Sequence, residues 1–509
     1  MFPSMKHKLK LTTIATHFNS GESQFLRRLS TESSSSLVKN SSSQYINNQK
    51  LYKRLSAVGG TGEKIRKVLH SIKRNGGNFT KSDLIDCLKA FRKYGRYHHC
   101  HEILEWMDKG KTKFSSSEYA LHLSIMSKVK GIDEVEKYFD SIPPYAKNHH
   151  VYGALLSCYC AEKMTDKALA LFKKMDELNY TSNCLAFNNM MSLYMKVGNP
   201  EKVSRLVEEM KEKNIPLTNH TYYTWIQSCR FPVDLERLER VKQDAEENDS
   251  VKDDWQIYSH LAGVYIEGGD YEKANTALNK VAELLDDPKN GERNGFHYLI
   301  SKYSRLGNLK AINQSWDKLK SRFKFNNMSY LVMLQALSKL EDIERLKKCL
   351  NEWESGHKIY DDKLPTVVIS AYLRHDMLEE AEHLLKDVKD KGDKMIKIAH
   401  INFLNYFLEK RKFDSALKHL DAAMEVNWKP MVKKLDPLFE HFKEQKDVDS
   451  AEELCKKLEK VQLINSQAYS WLLTTYADAG KTAPDMRERM KVNGVEISTE
   501  HEALLQKIC

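Results

Sequence analysis

A pattern that recurs about every 35 residues is the feature of this sequence that most restricts its fold. Aromatic residues mark successive copies at intervals of 35, 35, 36, 38 and 34 residues: Tyr152, Phe187, Tyr222, Tyr258, Phe296 and Tyr330. A small residue recurs later in several copies, at Ala168, Ala274, Ala381, Ala416 and Ala451. Because so short a segment cannot bury a core alone, the copies must stack on one another, and the pattern predicts a solenoid.

The copy at residues 184–210 shows what each repeat folds into. Apolar residues at helical spacing predict a first helix, namely Leu185, Met190, Met191 and Tyr194. Gly198 can end this helix in a left-handed conformation, and Asn199 can cap the next one with Pro200 in its first turn. A second apolar stripe follows at Val203, Leu206, Val207 and Met210. The repeat is therefore predicted to be a helix–turn–helix hairpin.

Sliding this frame along the chain places repeat starts near residues 81, 116, 149, 184, 219, 255, 293, 327, 362, 397, 432 and 466. We predict an all-α solenoid of about twelve repeats over residues 81–500, with a helical cap at 49–80 and a tail at 501–509. Small residues in the second helix would let the two helices of a hairpin approach closely.

The first 29 residues have a different composition from the rest. Their only acid is Glu22, against five basic residues: Lys6, Lys8, Lys10, Arg27 and Arg28. A basic, acid-poor segment rich in hydroxyl groups is typical of a transit peptide, and the segment around Arg27 resembles plant mitochondrial processing sites. We expect a transit peptide at 1–29, with an ordinary disordered terminus as the alternative, followed by a flexible Ser/Asn-rich leader at 30–48. The expected location is the mitochondrial matrix, with the chloroplast as the alternative.

Charge and motifs exclude several functions. The formal net charge is +10, of which residues 1–29 carry +4, so the remainder is too weakly basic to indicate a nucleic-acid partner by itself. The nine cysteines form no C-x-x-C pair, and adjacent histidines such as His98 and His99 point apart on a helix, so we predict no metal site. With no catalytic motif, no phosphate-binding loop and no apolar run of membrane-spanning length, we expect no enzyme, cofactor, small-molecule substrate or membrane span.

The repeat resembles the pentatricopeptide repeat, in the pure 35-residue (P) class of plant organelles, over roughly residues 81–495. The related tetratricopeptide repeat requires Gly at the eighth position, where this chain has larger residues: Leu156, Met191, Ile226, Ile300, Leu334 and Ile369. Methionine closes several second helices, at Met107, Met175 and Met210. The resemblance implies a right-handed α-α superhelix that binds single-stranded RNA, about one base per repeat, along a face lined by first helices.

The resemblance also implies which residues select the base: the fifth residue of a repeat together with its last. Three repeats have polar side chains there, pairing Asn188 with Thr218, Ser259 with Glu292, and His297 with Asn326. Other repeats have fifth residues that cannot make the expected bonds: Gly153, Tyr223, Leu331 and Ile401. We therefore expect RNA binding that tolerates many sequences.

A basic residue late in the first helix is implied to contact phosphate. Six of the first nine repeats have one: Lys93, Lys128, Lys196, Arg305, Lys339 and Arg374. Ala161, Phe231 and Glu267 occupy the position in the other three, and the last three repeats have Glu409, Glu444 and Asp478. These cations suit a polyanion, although a cation at a helix C-terminus also has a purely structural explanation, because it interacts favourably with the helix dipole.

Two functions remain open from the sequence. The first is an organellar RNA-binding protein, expected to be a monomer, that acts in processing, stability or translation of a mitochondrial transcript. The second is a scaffold that binds protein, such as a subunit associated with the mitochondrial ribosome. The basic residues favour the first function, and the poor base-reading positions favour the second.

Overall fold

The computed structural model describes residues 51–60, 64–75, 79–287, 291–356, 360–391, 396–426 and 428–509. Within these ranges the regular secondary structure is helical, and one isolated β-bridge joins Arg230 to Val233. The transit peptide at 1–29 and the leader at 30–48 lie outside the described residues. The chain divides into two compact units after Asp270.

Among the described residues of the first unit, residues 51–56 are helical, and a cap helix, five hairpins and a single helix follow. They are α1 (Ile65–Arg74), α2 (Lys81–Lys93), α3 (Tyr97–Lys109), α4 (Ser116–Val129), α5 (Ile132–Ser141), α6 (His149–Ala161), α7 (Thr165–Glu177), α8 (Cys184–Lys196), α9 (Glu201–Glu212), α10 (Asn219–Ser228), α11 (Leu235–Glu247) and α12 (Trp255–Gly268). Consecutive first helices pack side by side, from α4 through α6, α8 and α10 to α12.

The second unit starts with one helix and continues with six hairpins and a final helix. They are α13 (Tyr271–Asp286), α14 (Arg293–Arg305), α15 (Leu309–Arg322), α16 (Asn327–Lys339), α17 (Ile343–Gly356), α18 (Lys363–Arg374), α19 (Leu378–Lys391), α20 (Ile396–Glu409), α21 (Phe413–Glu425), α22 (Asp436–Gln445), α23 (Val448–Lys460), α24 (Ser466–Ala479), α25 (Met486–Val492) and α26 (Thr499–Ile508). First helices again pack in series, α14 on α16 and α16 on α18.

The predicted turn chemistry is confirmed where α8 ends. Gly198 has φ +80°, a left-handed conformation that glycine adopts at little cost, and the N–H of Asn199 donates to the Tyr194 carbonyl at 2.9 Å. The predicted cap by Asn199 is wrong: α9 begins at Glu201 after Pro200, and no side chain caps it. Pro200 has helical backbone angles, φ −63° and ψ −22°, as its predicted place in the first turn requires.

The core consists of the residues that define the repeat. The six predicted aromatics are buried, and Phe187, Tyr222 and Phe296 are fully so. All five small second-helix residues have no exposed surface: Ala168, Ala274, Ala381, Ala416 and Ala451. Since a side chain larger than Ala would separate the paired helices at these positions, the small residues set the spacing of the hairpins.

Repeat starts agree with the predicted frame except in one place. First helices begin at the predicted residue or within one residue of it, but the eleventh begins at Asp436 and not near 432. A short 3₁₀ turn, Val432–Leu435, precedes it, and Pro437 fits the first turn of the helix because its missing N–H costs nothing there. Residues 501–509, assigned to a tail by sequence, lie largely within α26, which buries Leu505 and Ile508.

Two buried histidines and one half-buried histidine predict a pH-dependent stability. Burial lowers the pKa of His122 to about 4, and that of both His400 and His419, whose Nδ1 atoms lie 2.9 Å apart, also to about 4. An unfolded histidine has a pKa near 6.5, so the neutral folded forms give their full stability above about pH 6.5 and lose it progressively toward pH 4. The unfolding midpoint should therefore fall between pH 7 and pH 5, and His122→Gln should flatten that dependence. A midpoint independent of pH over this range would contradict the prediction.

No helix among the described residues is long and apolar enough to cross a lipid bilayer.

Candidate nucleic-acid interface

Three cations lie side by side in the second unit, at the ends of α14, α16 and α18. Burial and the neighbouring charge of Arg305 lower the pKa of Lys339, which places these two cations within electrostatic reach of each other. Arg374 lies beside Lys339, because its Nη2 donates to the carbonyl and the Oγ of Ser338, at 3.0 and 2.6 Å. Each of the three side chains is exposed. Like charges held together in this way favour a shared anionic partner, since an anion between them relieves their repulsion.

The first unit has three more of the predicted cations, at the ends of α2, α4 and α8. Lys93, Lys128 and Lys196 are exposed. Burial raises the pKa of Cys158 to about 11, and the positive charge of Lys128 opposes this rise. Burial likewise raises the pKa of Cys160 to about 12, and the positive charge of Lys196 opposes it. Both lysines therefore lie beside the end of α6. Within this unit the structure brings Lys128 and Lys196 to the same end of the packed first helices.

The basic positions are interrupted at α6, which has Ala161 there, and again after α8, and they end after α18. At the end of α12, the carboxylate of Glu267 pairs with the guanidinium of Arg230. The acidic residues of the last repeats are exposed, namely Glu409, Glu444 and Asp478. The described cations at this position therefore stop with Arg374, as the sequence predicts.

The predicted base-reading pair Asn188 and Thr218 is joined through a third residue. The hydroxyl of Thr221, in the first turn of α10, donates to Asn188 Oδ1 at 3.0 Å. The same hydroxyl lies 3.0 Å from Thr218 Oγ1, and the Thr218 N–H donates to it at 3.2 Å. Asn188 is 6% exposed. The side chain expected to face a base is thus bonded to the next repeat.

The pair His297 and Asn326 repeats this arrangement in the second unit. Ser329 donates its hydroxyl to Asn326 Oδ1 at 3.1 Å, and His297 Nε2 lies 3.0 Å from the same hydroxyl oxygen. Because the serine proton is directed at Asn326, His297 must donate from Nε2. His297 is 8% exposed, and burial together with the charge of Arg293 lowers its pKa.

A third bridge of this kind was missed from the sequence, at the last repeat. Ser470, the fifth residue there, and Ser498, the N-cap of α26, meet at the buried ring of His501. The Ser498 N–H donates to His501 Nδ1 at 3.2 Å, so Nε2 donates to Ser470 Oγ at 2.7 Å. The repeat frame could have found Ser470, and the capping pattern Ser498-x-x-His501 could have found the other end of the bridge. Ser259, the remaining predicted base-reading residue, is buried and donates to the carbonyl of Gln256 at 2.7 Å.

Removing a bridging hydroxyl should destabilise the fold. Ser329→Ala leaves the buried Nε2–H of His297 without its acceptor, which should cost about 1–3 kcal/mol of unfolding free energy in urea titrations. Ser321→Ala is the matched control, since this exposed hydroxyl bonds only a carbonyl of its own helix, and it should change stability by less than about 0.5 kcal/mol. Equal losses for the two variants would contradict a bridging role.

At the histidine-rich start of α3, one cysteine and one histidine contact other groups of the protein. Cys100 is fully buried, burial raises the pKa of its thiol to about 12, and Sγ donates to the Leu88 carbonyl at 3.7 Å. His101 Nε2 lies 3.2 Å from Glu105 Oε1. Among the described residues, no three His, Cys, Asp or Glu side chains are grouped so that they could hold a metal ion.

Comparison with known proteins places this geometry in a family. Residues 182–230 match the PPR repeat family, and residues 150–180 and 366–393 match the PPR repeat. A mitochondrial pentatricopeptide repeat-containing protein of Arabidopsis thaliana is 40% identical over 471 residues, 91% of this chain and 87% of that protein. The Arabidopsis large ribosomal subunit protein mL101 is 31% identical over 482 residues, 93% of this chain and 97% of its own.

A solved structure supports the same fold. The pentatricopeptide repeat protein PPR10 from maize superposes with a TM-score of 0.52 at 16% identity, over 86% of this chain and 62% of the maize chain. The 40% identity over nine-tenths of the sequence, the matched repeats and the stacked hairpins lead to one conclusion: this chain belongs to the pentatricopeptide-repeat family.

Proposed function

We propose that this protein binds single-stranded RNA in the mitochondrion through phosphate contacts that tolerate many base sequences. The observation that carries the proposal is the row of exposed cations Arg305, Lys339 and Arg374 on adjacent first-helix ends. Positive grooves that follow a backbone bind single strands with little base preference. Lys93, Lys128 and Lys196 provide the same chemistry in the first unit.

The bridged polar pairs support tolerance of sequence. A base edge can be read only by a side chain whose donors and acceptors are available, and breaking a buried hydrogen bond to free them costs energy. Asn188 and His297 already bond the next repeat, so contact with a base would compete with folding. Asn188, Thr218, Ser259, His297 and Asn326 therefore contribute mainly to the stability of the stack.

The site offers binding without chemistry. The protein acts by occupying RNA that would otherwise be processed, degraded or left untranslated. The mitochondrial location is supported by the name of the Arabidopsis relative and by the basic segment at residues 1–29.

Crosslinking in isolated mitochondria tests this function directly. After ultraviolet crosslinking, the protein should be recovered with a reproducibly enriched set of mitochondrial transcripts, and the bound segments should share little base sequence. A library with no enrichment over a mock purification would refute RNA binding in the organelle. A single strict motif would refute tolerance of sequence.

Membership of the mitochondrial ribosome is a second candidate, favoured by the similarity to mL101 over nearly the whole of both chains. In this case the cations would bind ribosomal RNA. Sedimentation with the large ribosomal subunit after RNase treatment would support this candidate, whereas release into the top fractions would support binding to a transcript.

A further inference from the structure

Phe231 stands where the repeat frame places a phosphate-binding residue, but it lies outside the helix. The helix α10 ends at Ser228, three residues short of the 13-residue α8. Pro232 accounts for this, because the residue before a proline avoids helical backbone angles. Phe231 consequently projects from a loop, and its side chain is 71% exposed.

The loop that presents Phe231 is fixed on both sides. On one side, Arg230 pairs with Glu267 at the end of α12 and donates to Gln227 Oε1 at 2.9 Å. On the other side, Val233 forms a β-bridge with Arg230, and the Asp234 N–H donates to the Cys229 carbonyl at 2.9 Å. A loop held in this way loses little conformational freedom when the ring that it presents binds a ligand.

The charge around Phe231 also differs from the charge at the end of α8, the neighbouring first helix. The guanidinium of Arg230 lies 5.9 Å from the Phe231 ring centre, but its charge is balanced by Glu267. Lys196 is exposed at the end of α8, which packs directly against α10. A strand held by Lys196 therefore reaches a position with an exposed ring in place of an available positive charge.

We propose that Phe231 is a stacking platform for one unpaired base of the RNA. The inference rests on the proposed function, and it adds a contact that is independent of charge and of base identity. Every nucleobase has a π-face, and stacking on an aromatic side chain tolerates sequence. A nucleobase is favoured over a protein side chain because the ring occupies a helix-end position whose neighbour in the same row is the phosphate-binding candidate Lys196.

Stacking can be separated from charge by measuring affinity and its salt dependence together. Binding of fluorescein-labelled oligo(A) and oligo(U) should be measured by anisotropy at several potassium chloride concentrations. Phe231→Ala should weaken binding roughly 5- to 100-fold and leave the slope of log affinity against log salt unchanged, because no phosphate contact is lost. Phe231→Trp should restore the affinity, and oligo(A) should lose more than oligo(U) because purines stack more strongly.

Tyr145→Ala is the matched control, because this side chain is 87% exposed but lies in the turn that follows a second helix. It should leave RNA affinity within about twofold, and both variants should keep the native unfolding midpoint because the deleted rings are exposed. Native affinity for Phe231→Ala, or a loss that Phe231→Trp does not restore, would overturn the stacking platform while leaving the proposed function intact. Absence of RNA binding by the unaltered protein would instead refute the proposed function. Loss of ribosome association with unchanged RNA affinity would assign Phe231 to a protein contact and also overturn the inference.

Discussion

Reversing three of the proposed phosphate-binding charges, with Lys196→Glu, Arg305→Glu and Lys339→Glu, should weaken binding of unstructured RNA at least about 100-fold at 0.1 M salt. Each phosphate neutralised on a single strand contributes about 0.7 to the salt exponent, or roughly 1 kcal/mol at this ionic strength. The loss of three phosphate contacts should therefore reduce the binding free energy by about 3 kcal/mol. Repulsion between the introduced glutamates and the phosphates would add to this loss. Anisotropy with a labelled 20-nucleotide oligo(U) measures the change directly.

The control for this variant carries the same change in net charge on second helices. Lys173, Lys310 and Lys348 are exposed residues of α7, α15 and α17. Reversing all three should reduce affinity only a few-fold, through long-range electrostatics that salt screens. Equal losses in the two triple variants would mean that overall charge, and not the first-helix row, determines binding. Circular dichroism should show both variants folded, since all six side chains are exposed.

Phe187→Ala should lower the free energy of unfolding by about 3–5 kcal/mol, the range for emptying a large buried site. Phe187 has no exposed surface, and its ring meets that of Phe172 edge-on, with centroids 5.1 Å apart. Because each hairpin depends on its neighbours, a cavity between α7 and α8 weakens the stack on both sides. Since whole domains are stable by only about 5–15 kcal/mol, such a loss should be obvious in urea unfolding.

Leu185→Ala on the same helix is the comparison for this variant. Leu185 is 40% exposed, so the truncation removes little buried surface and should cost less than about 1 kcal/mol. A Phe187→Ala protein as stable as Leu185→Ala would mean that the aromatic position does not hold the repeats together.

The repeat frame is the part of the fold that sequence reasoning recovered best. Spacing of aromatic and small residues locates each hairpin because those residues must be buried, and burial of Phe296 and Ala381 agrees with the frame. Helix ends were harder to predict, because a proline changes them locally. Pro232 shortens α10, and Pro437 accompanies the late start of α22. A repeat pattern of fixed length predicts neither change in the helix bounds.

The sequence was sufficient to propose members of the candidate site, whose binding role stays a prediction, but not to predict their contacts. Charge and position were sufficient to name Arg305 and Lys339, whose proximity the structure adds. The hydroxyl of Ser329 that joins His297 to Asn326 could not be foreseen, because it depends on how closely one first helix packs on the next. The exposure of Phe231 was missed for a related reason: the frame placed it within a helix that ends before reaching it.

The salt dependence of RNA affinity tests phosphate recognition most directly. If the six cations at the first-helix ends bind phosphates, the slope of log affinity against log salt for oligo(U) should be about −4, from roughly 0.7 per contact. The Lys196→Glu/Arg305→Glu/Lys339→Glu protein should show a slope shallower by about 2. A slope near zero for the unaltered protein, or the same slope for both proteins, would contradict binding of RNA through these residues.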